Sequence, residues 1–308
     1  MSVEPISSFE ALRHAAVANG PRRVAVVVAD DDVALEAIAN ATHIRLADPI
    51  LIGDRAAIVA KAEAAGHAEL LKTAEIVEAD GPEASAAVAA RLAGEGRADI
   101  LLKGHLRTDQ LLRAVLDKSV GLRTGRLLSD VLLYEDKLAG CSRLVAITDG
   151  GLNVAPDLEA KKQILANAVD ALRKLGIGRP KIAVMSATEV VSDGIPSTGD
   201  ARIIAEAAKA GAFGEVDVQG PLALDNALLA AAAAAKGIDG PVAGRADCLL
   251  MPSIEAGNVL GKATKYLGGS ACAHVVVGAK VPILIPSRVE SAEDKLNSIA
   301  FGVLNVAG

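Results

Sequence analysis

Aromatic residues are scarce in this 308-residue chain. Phe, Trp and Tyr together account for 2% of the residues, and Trp is absent. This scarcity disfavours a surface that binds single-stranded nucleic acid by stacking bases on aromatic rings. The net charge of −6 provides no overall positive field to attract nucleic acid or an anionic membrane. We therefore predict that neither nucleic acid nor a membrane is a partner.

Cysteine is also rare. Cys141, Cys248 and Cys272 are the three cysteines, and no two of them form a C-x-x-C pair. An odd, unpaired set disfavours a disulfide framework and a structural zinc site. It favours small buried thiols in a reducing compartment, so we predict a cytoplasmic protein. The N-terminal MSVEPISSFE lacks the features of a signal peptide, and the longest apolar stretch, 227–235, is far too short to span a bilayer.

Three common motifs are missing. The chain contains no G-x-x-x-x-G-K-[ST], no G-x-G-x-x-G after a strand and no H-E-x-x-H. Their absence disfavours a P-loop enzyme, a Rossmann dehydrogenase and a zincin protease. His105 and His274 stand alone, and Asp149, Asp193 and Asp200 do not have a recognisable metal-ligand spacing. We therefore predict no metal ion.

Short apolar runs alternate with helical stretches along the chain. Continuous apolar strands of this kind indicate a parallel sheet covered on both faces, and hence an α/β fold. The predicted strands are 24–29, 49–52, 76–80, 99–103, 144–149, 181–186, 248–252, 274–279 and 281–286, with an antiparallel strand over 126–135. The predicted helices include 84–92, 156–175, 200–210, 222–235 and 292–306.

Polar side chains follow several of these strands directly. In parallel α/β sheets, ligands bind beyond the carboxyl ends of the strands, so these clusters predict one composite site. The clusters are Gly104, His105, Arg107, Asp109 and Arg113; Asp149, Gly150, Gly151 and Asn153; Thr188 and Glu189; Ser253, Glu255, Gly257 and Asn258; and Ser287 with Arg288.

The segment VPILIPSRVESAEDKLN, residues 281–297, has two interpretations. One is a helix start, in which Ser291 and Asp294 form a capping box and nearby acidic residues favour the positive end of the helix dipole. This leaves Ser287 and Arg288 unexplained, because they precede the cap. A hydroxyl and a guanidinium at a strand end, near a helix N-terminus, predict an anion or oxyanion site.

Taken together, these motifs resemble the phosphate acetyltransferase and phosphate butyryltransferase family. The resemblance runs from about residue 100 to the C-terminus. It rests on four ordered segments: GHLRTDQLLRAVL, ITDGGLNVAPD, GPVAGRADCLLMPSIEAGN and VPILIPSRVESAEDKLNSIA. The form SRVESAEDK is closer to the butyryl branch, but the acyl group, acetyl or butyryl, stays open.

The resemblance implies an acyltransferase that moves an acyl group between coenzyme A and inorganic phosphate to give an acyl phosphate. Coenzyme A is then a co-substrate, no cofactor is tightly bound, and the enzyme is a homodimer. The implied fold is a two-domain, three-layer α/β fold like that of isocitrate and isopropylmalate dehydrogenases, with the active site in the interdomain cleft. Residues 1–122 with 283–308 would form the first domain, and 123–282 the second.

The resemblance also implies roles for individual residues. Ser287 would position or stabilise the reacting centre, and Arg288 and Arg113 would hold phosphate oxygens. Asp294 falls at the spacing of the general base for the coenzyme A thiol, with two neighbouring carboxylates, Glu290 and Glu293, as further candidates. Substrate contacts are expected from three residues: Asp149, Asn153 and Asn258.

Two other functions are compatible with this architecture. A dehydrogenase on the same fold would need a metal-binding set of His or Asp residues and a nicotinamide site. A non-catalytic effector domain, like the acyl-coenzyme A-binding domain of malic enzymes, would not need Ser287 and Arg288, which this chain has. Phosphate-dependent release of thiol from acyl-coenzyme A, without nicotinamide, distinguishes a transferase from both.

Overall fold

The computed structural model describes residues 4–138, 142–287 and 289–307. Contacts divide the chain into two units, one comprising Met1–Phe9 and Leu127–Cys272 and the other Glu10–Arg126 and Ala273–Gly308. Strands and helices alternate in both units, so the predicted α/β class is confirmed. No helix among the described residues is long and apolar enough to cross a membrane.

The second unit contains a mixed, mostly parallel sheet. Its strand order is β3-β2-β1-β4-β11-β10, where the strands are β1 (Arg22–Val27), β2 (Ala47–Gly53), β3 (Glu75–Glu78), β4 (Ile100–Lys103), β10 (Cys272–Val277) and β11 (Ile283–Leu284). Neighbouring strands are parallel except β10 and β11. The boundary between the units falls after the first residue of β10.

Side-chain caps begin several helices of this unit. Asp31 caps α2 (Asp32–His43) by accepting from the Ala34 N–H at 2.7 Å, and Lys295 near the start of α11 (Ala292–Asn305) lies 3.4 Å from the same aspartate. This partly buried ion pair joins the two packed helices at their N-termini. The helices are α1 (Phe9–Ala18), α2 (Asp32–His43), α3 (Arg55–Ala64), α4 (Gly81–Gly94), α5 (Thr108–Val115) and α11 (Ala292–Asn305), with 3-10 turns at Ala68–Lys72 and Lys118–Val120.

The ends of β1 and β4 approach each other closely where the strand order reverses. A Cβ atom on Gly104 would lie 2.3 Å from the Val28 carbonyl oxygen, so glycine is required there. Val28 itself has a φ of 57°, which is a strained conformation for a β-branched residue. The N–H groups of Gly104 and His105 donate to Val27 and Val28 at 2.9 Å. These contacts fix the edge of the sheet at which Ser287 also lies.

The first unit contains a second set of strands in the order β5-β6-β9-β7-β8. These are β5 (Ser129–Asp136), β6 (Arg143–Thr148), β7 (Lys181–Met185), β8 (Asp217–Leu222) and β9 (Cys248–Leu250). β5 is antiparallel to β6, as predicted, and the other pairs are parallel. The helices are α6 (Leu158–Arg173), α7 (Pro196–Lys209), α8 (Leu224–Leu228), α9 (Ala230–Ala235) and α10 (Ile254–Tyr266).

The predicted single helix over 222–235 is wrong. The structure has the end of β8 followed by two short helices, α8 and α9, which are separated by Leu229 in an extended conformation (φ −113°, ψ 112°). A Cβ atom on Gly244 would lie 2.4 Å from the Ala230 Cα, so a neighbouring loop packs directly against the break. Tertiary packing thus overrides the strong helix propensity of the alanine run.

Candidate functional site

Ser287 lies at the carboxyl edge of the second unit's sheet. β11 runs parallel to β4 with Leu284 opposite Leu102, so the residues that follow both strands lie at the same edge. Ser287 is half-buried, and its carbonyl accepts from the Glu290 N–H at 3.2 Å. This hydrogen bond closes the turn that leads to α11. Arg288, the predicted partner of Ser287, lies outside the described residues.

An open cleft of about 370 Å³ adjoins Ser287. Its walls combine two cationic side chains, two hydroxyl side chains and one carboxylate with apolar residues. They are Lys103, Leu106, Arg107, Thr108, Asp109, Ile285, Pro286 and Ser287. Two of these residues, Thr108 and Asp109, form the first turn of α5, so the cleft also meets the positive end of a helix dipole. The cleft therefore suits a small anion.

Lys103 is the buried cation of this cleft. It is the last residue of β4 and is 6% exposed. Because it lines the cleft, its ammonium adds positive charge to the cleft wall. The sequence analysis treated Lys103 only as a strand residue.

Three charged residues on and before α5 form an exposed network. The Asp109 carboxylate lies 2.8 Å from the Arg107 Nε and 3.8 Å from an Arg113 guanidinium nitrogen. Arg107 lines the cleft, whereas Arg113 is one turn farther along α5 and is 77% exposed. The structure thus places Arg107 in the same cleft as Ser287, and it connects Arg113 to the cleft through Asp109. The predicted phosphate-binding role of Arg113 stays a prediction.

Asp294 forms the capping box that the sequence suggested. Its Oδ2 accepts from the Ser291 hydroxyl at 2.6 Å and from the Ser291 N–H at 3.2 Å. In return, the Asp294 N–H donates to the Ser291 Oγ at 3.2 Å. Asp294 is 1% exposed, while Ser291 is exposed. Ser291 therefore lies between the buried carboxylate and the surface.

The two neighbouring carboxylates differ from Asp294 in their surroundings. The Glu293 side chain is 68% exposed and lies 3.6 Å from Arg13. Glu290 is 6% exposed, and its Oε1 lies 3.4 Å from the His274 Nε2. Only two of the three candidates, Glu290 and Asp294, are therefore in a desolvated environment that strengthens electrostatic interactions.

Asp149 organises the loop that follows β6 in the first unit. Its Oδ1 accepts from the Gly151 and Leu152 N–H groups at 2.7 and 2.9 Å. Its Oδ2 accepts from the Asn153 amide at 2.6 Å. Burial raises the pKa of this carboxyl, and the nearby Asp130 raises it further, against the lowering effect of these hydrogen bonds.

Asn258 joins the same loop from α10. Its amide donates to the Gly150 carbonyl at 3.1 Å. A Cβ atom on Gly257 would lie 2.5 Å from the Asp149 carbonyl oxygen, so α10 begins in close backbone contact with the loop. The structure thus brings together three predicted residues, Asp149, Asn153 and Asn258. Their hydrogen bonds are internal to the first unit, and substrate binding by them stays a prediction.

Sequence reasoning also missed a cluster near Glu290. Cys272, His274 and Glu290 place ligand atoms within 4.8 Å of one another. The pair of residues on β10 has the spacing C-x-H, and alternate residues of a strand lie on the same face. That spacing was the available signal, but the glutamate comes from a distant loop.

Comparisons with known proteins agree along nearly the whole chain. A family model described as Phosphate acetyl/butaryl transferase matches residues 73–303. A phosphate butyryltransferase of Clostridium acetobutylicum is 40% identical over 303 residues, covering 98% of this chain and 99% of the relative. A phosphate acetyltransferase of Rhizobium meliloti is 39% identical over 301 residues, covering 98% and 94%.

Solved structures show the same similarity. The crystal structure of a branched-chain phosphotransacylase from Enterococcus faecalis superposes with a TM-score of 0.80 at 29% identity, covering 92% of this chain and 99% of that one. A phosphotransacetylase from Streptococcus pyogenes has a TM-score of 0.80 at 20% identity, with 97% of both chains covered. At that lower identity the likeness concerns the fold alone.

Proposed function

Because the chain belongs to the Phosphate acetyl/butaryl transferase family, we propose that the Ser287 cleft is where it transfers an acetyl or butyryl group between coenzyme A and inorganic phosphate. The predicted family and the predicted acyltransferase activity are confirmed by the family match and by relatives that align over nearly their whole length. The same findings favour a transferase over the effector-domain and dehydrogenase alternatives. The observation that carries the activity is the family match over residues 73–303.

The cleft supports a phosphate site. The Lys103 ammonium and the Arg107 guanidinium supply positive charge, and the Ser287 and Thr108 hydroxyls supply donors. Charge-assisted hydrogen bonds to phosphate oxygens are about twice as strong as neutral ones. We infer that phosphate, or the phosphoryl end of an acyl phosphate, binds here. Arg288, next to Ser287 in sequence, would contribute a further guanidinium.

The proposed reaction requires one proton transfer and one bond exchange. The coenzyme A thiol loses its proton, its sulfur forms a bond to the carbonyl carbon of the acyl phosphate, and the bond from that carbon to the phosphate oxygen breaks. The Ser287 hydroxyl would stabilise the developing oxyanion. Phosphate then leaves as an anion held by the cationic side chains of the cleft.

Asp294 is the proposed acceptor of the thiol proton. Its carboxylate is buried, but the exposed Ser291 hydroxyl donates to it at 2.6 Å. A proton can therefore reach Asp294 through Ser291, since the hydroxyl can accept one proton while it passes its own to the carboxylate. A positioned carboxylate of this kind contributes about 10² to 10⁴ in rate.

Phosphate-dependent thiol release tests the activity. The purified chain is incubated with acetyl-, propionyl-, butyryl- or a branched-chain acyl-coenzyme A, and free thiol is followed with and without phosphate and without nicotinamide. We expect release that requires phosphate, with kcat/KM identifying the acyl chain. Ser287→Ala serves as the site control and should lower the rate at every chain length. Release that does not depend on phosphate would contradict the transferase.

The remaining predictions concern assembly and surroundings. We propose a cytoplasmic homodimer with coenzyme A as a co-substrate and without a tightly bound organic cofactor. The predicted division at residues 122 and 283, the likeness to isocitrate and isopropylmalate dehydrogenases, and the interdomain location of the active site also stay predictions. Light scattering coupled to size-exclusion chromatography tests the dimer, and a monomeric mass would contradict it.

A further inference from the structure

Cys272, His274 and Glu290 form a compact cluster beside the turn that contains Ser287. Their ligand atoms, one from each side chain, all lie within 4.8 Å of one another. Cys272 is 2% exposed, the His274 side chain 15% and Glu290 6%. The first two lie on β10, and Glu290 lies in the segment between Ser287 and α11. The cluster is therefore nearly closed to solvent.

Glu290 provides an independent observation that points to a ligand at this cluster. Its Oε2 is buried and has no hydrogen-bond partner, while Oε1 lies 3.4 Å from the His274 Nε2. A buried carboxylate oxygen without a partner is strongly unfavourable, because the desolvation of a charged group is not compensated. A cation within the cluster would supply that compensation.

The backbone holds two of these side chains in place. The His274 N–H donates to the Ser298 Oγ at 2.9 Å, and the same hydroxyl donates to the Asp294 carbonyl at 2.9 Å. The Glu290 N–H donates to the Ser287 carbonyl at 3.2 Å. β10 is thus bonded to α11, and the segment before α11 is held by its own turn.

The donor set selects the chemical class of cation. A thiolate, an imidazole nitrogen and a carboxylate oxygen are the usual zinc ligands, whereas magnesium and calcium prefer oxygen alone. The charges also balance, since a thiolate and a carboxylate together neutralise a divalent ion. Zinc bonds of about 2.0 to 2.3 Å place tetrahedral ligands roughly 3.3 to 3.6 Å apart. The His274–Glu290 pair, at 3.4 Å, already has this spacing, and the Cys272 sulfur lies within 4.8 Å of both other ligand atoms.

We propose that Cys272, His274 and Glu290 bind one zinc-like divalent cation, leaving a fourth position for water or another ligand. This revises the prediction that the chain has no metal site. The bound ion would join β10 to the Ser287–Ser291 segment, and it would thereby hold the turn that contains Ser287 in place. The proposal does not depend on the acyltransferase activity, because its readout is metal binding.

Direct metal binding tests the proposal. The purified chain is stripped with a chelator, equilibrated with Zn²⁺, desalted and analysed by atomic emission, with affinity measured by competition against a chromophoric chelator. We expect one ion per chain. Glu290→Gln and His274→Ala should each weaken binding at least about tenfold, and Cys272→Ser should do the same. Mg²⁺ should not compete. Less than stoichiometric binding by the unaltered chain would overturn the proposal.

Matched variants and a spectrum make the result specific. Cys248→Ser removes another buried thiol, on β9, and should leave the affinity unchanged. Co²⁺ in place of zinc should give a thiolate-to-cobalt charge-transfer band in the unaltered chain and in Cys248→Ser, but not in Cys272→Ser. This spectrum decides the matter even if a variant fails to fold, since an unaltered chain without the band contradicts thiolate ligation. An affinity for Zn²⁺ that is unchanged from that of the unaltered chain in all three ligand variants would also overturn the proposal.

Discussion

Asp294→Asn separates two roles of one side chain. In the structure, the Asp294 Oδ2 accepts from the Ser291 hydroxyl and N–H, and an asparagine oxygen can accept both hydrogen bonds. The cap should therefore survive, and we expect the free energy of unfolding to fall by about 1 kcal/mol or less. A neutral amide cannot accept the thiol proton, so kcat should fall by about 10² to 10⁴ if Asp294 is the general base.

The assay measures coenzyme A acylation by acyl phosphate over a range of pH, with thermal or urea unfolding measured in parallel. The rate loss should shrink as the pH rises toward the thiol pKa of about 8.5, because the thiolate then forms without help. A loss that is independent of pH would contradict the base role. So would an Asp294→Asn variant with nearly full activity at neutral pH, which would leave only the cap.

Ser291→Ala is the matched control, because it breaks the cap but keeps the carboxylate. It should lower stability by about 1 kcal/mol, or roughly 2 to 4 °C in melting temperature for a chain of this size. Its kcat should fall less than that of Asp294→Asn, since the carboxylate remains and a water can replace the Ser291 hydroxyl on the proton path. Equal losses in the two variants would show that the carboxylate acts only together with Ser291.

Glu293→Gln controls for the register of the family motif. Glu293 is exposed and lies beside Arg13, so we expect little change in kcat or stability. If Glu293→Gln abolished turnover while Asp294→Asn did not, the base would be Glu293 and the motif would be displaced by one residue. Ser287 and Arg288 would keep their proposed roles.

Two further predictions concern the phosphate site and the sheet edge. Arg288→Ala, Arg113→Ala and Arg107→Ala should each raise the KM for phosphate by roughly ten- to a hundredfold, as measured by initial rates, and unchanged KM values in all three would refute the phosphate assignments. Gly104→Ala should lower the free energy of unfolding in urea by about 1 to 3 kcal/mol, because its Cβ would lie 2.3 Å from the Val28 oxygen. Gly178 is the control, because it is exposed and a Cβ there would meet nothing within 4 Å. Gly178→Ala should change the free energy of unfolding by no more than about 0.5 kcal/mol. Equal effects of the two glycine variants would contradict the close approach.

The fold class could be predicted because its signal is local. Apolar runs such as Val24–Val27 and Ile100–Leu102 are buried on both faces of the sheet, so they contain few polar residues and stand out in the sequence. β8 was missed because Gly220 and Pro221 interrupt its pattern. Proline is compatible with a strand at a sheet edge, and β8 is the last strand in the order. The strand was missed because its position at the edge of the sheet cannot be deduced from the sequence.

The candidate site was only partly predictable for a related reason. Ser287 and Asp294 lie on one continuous segment, so a short motif could indicate both. The sequence pattern indicates only that Lys103 belongs to a strand. The parallel pairing of β4 with β11 brings it to the same cleft as Ser287. Arg107 and Arg113 are both arginines near the same helix, so the sequence does not distinguish them. Their places at the two ends of α5 determine that Arg107 lines the cleft and Arg113 does not.

Glu290 has a local explanation in the sequence that does not account for its long-range contact in the structure. In sequence it is one of three acidic residues near a helix start, where a helix dipole alone accounts for negative charge. A residue serving only that role would be solvated, as Glu293 is. Glu290 is instead buried against His274 on β10 with one oxygen unpartnered. The dipole does not explain that burial, whereas a shared cation with His274 and Cys272 does. The metal-binding experiment therefore also tests whether this acidic segment serves two purposes, in which Asp294 caps α11 and Glu290 binds the cation.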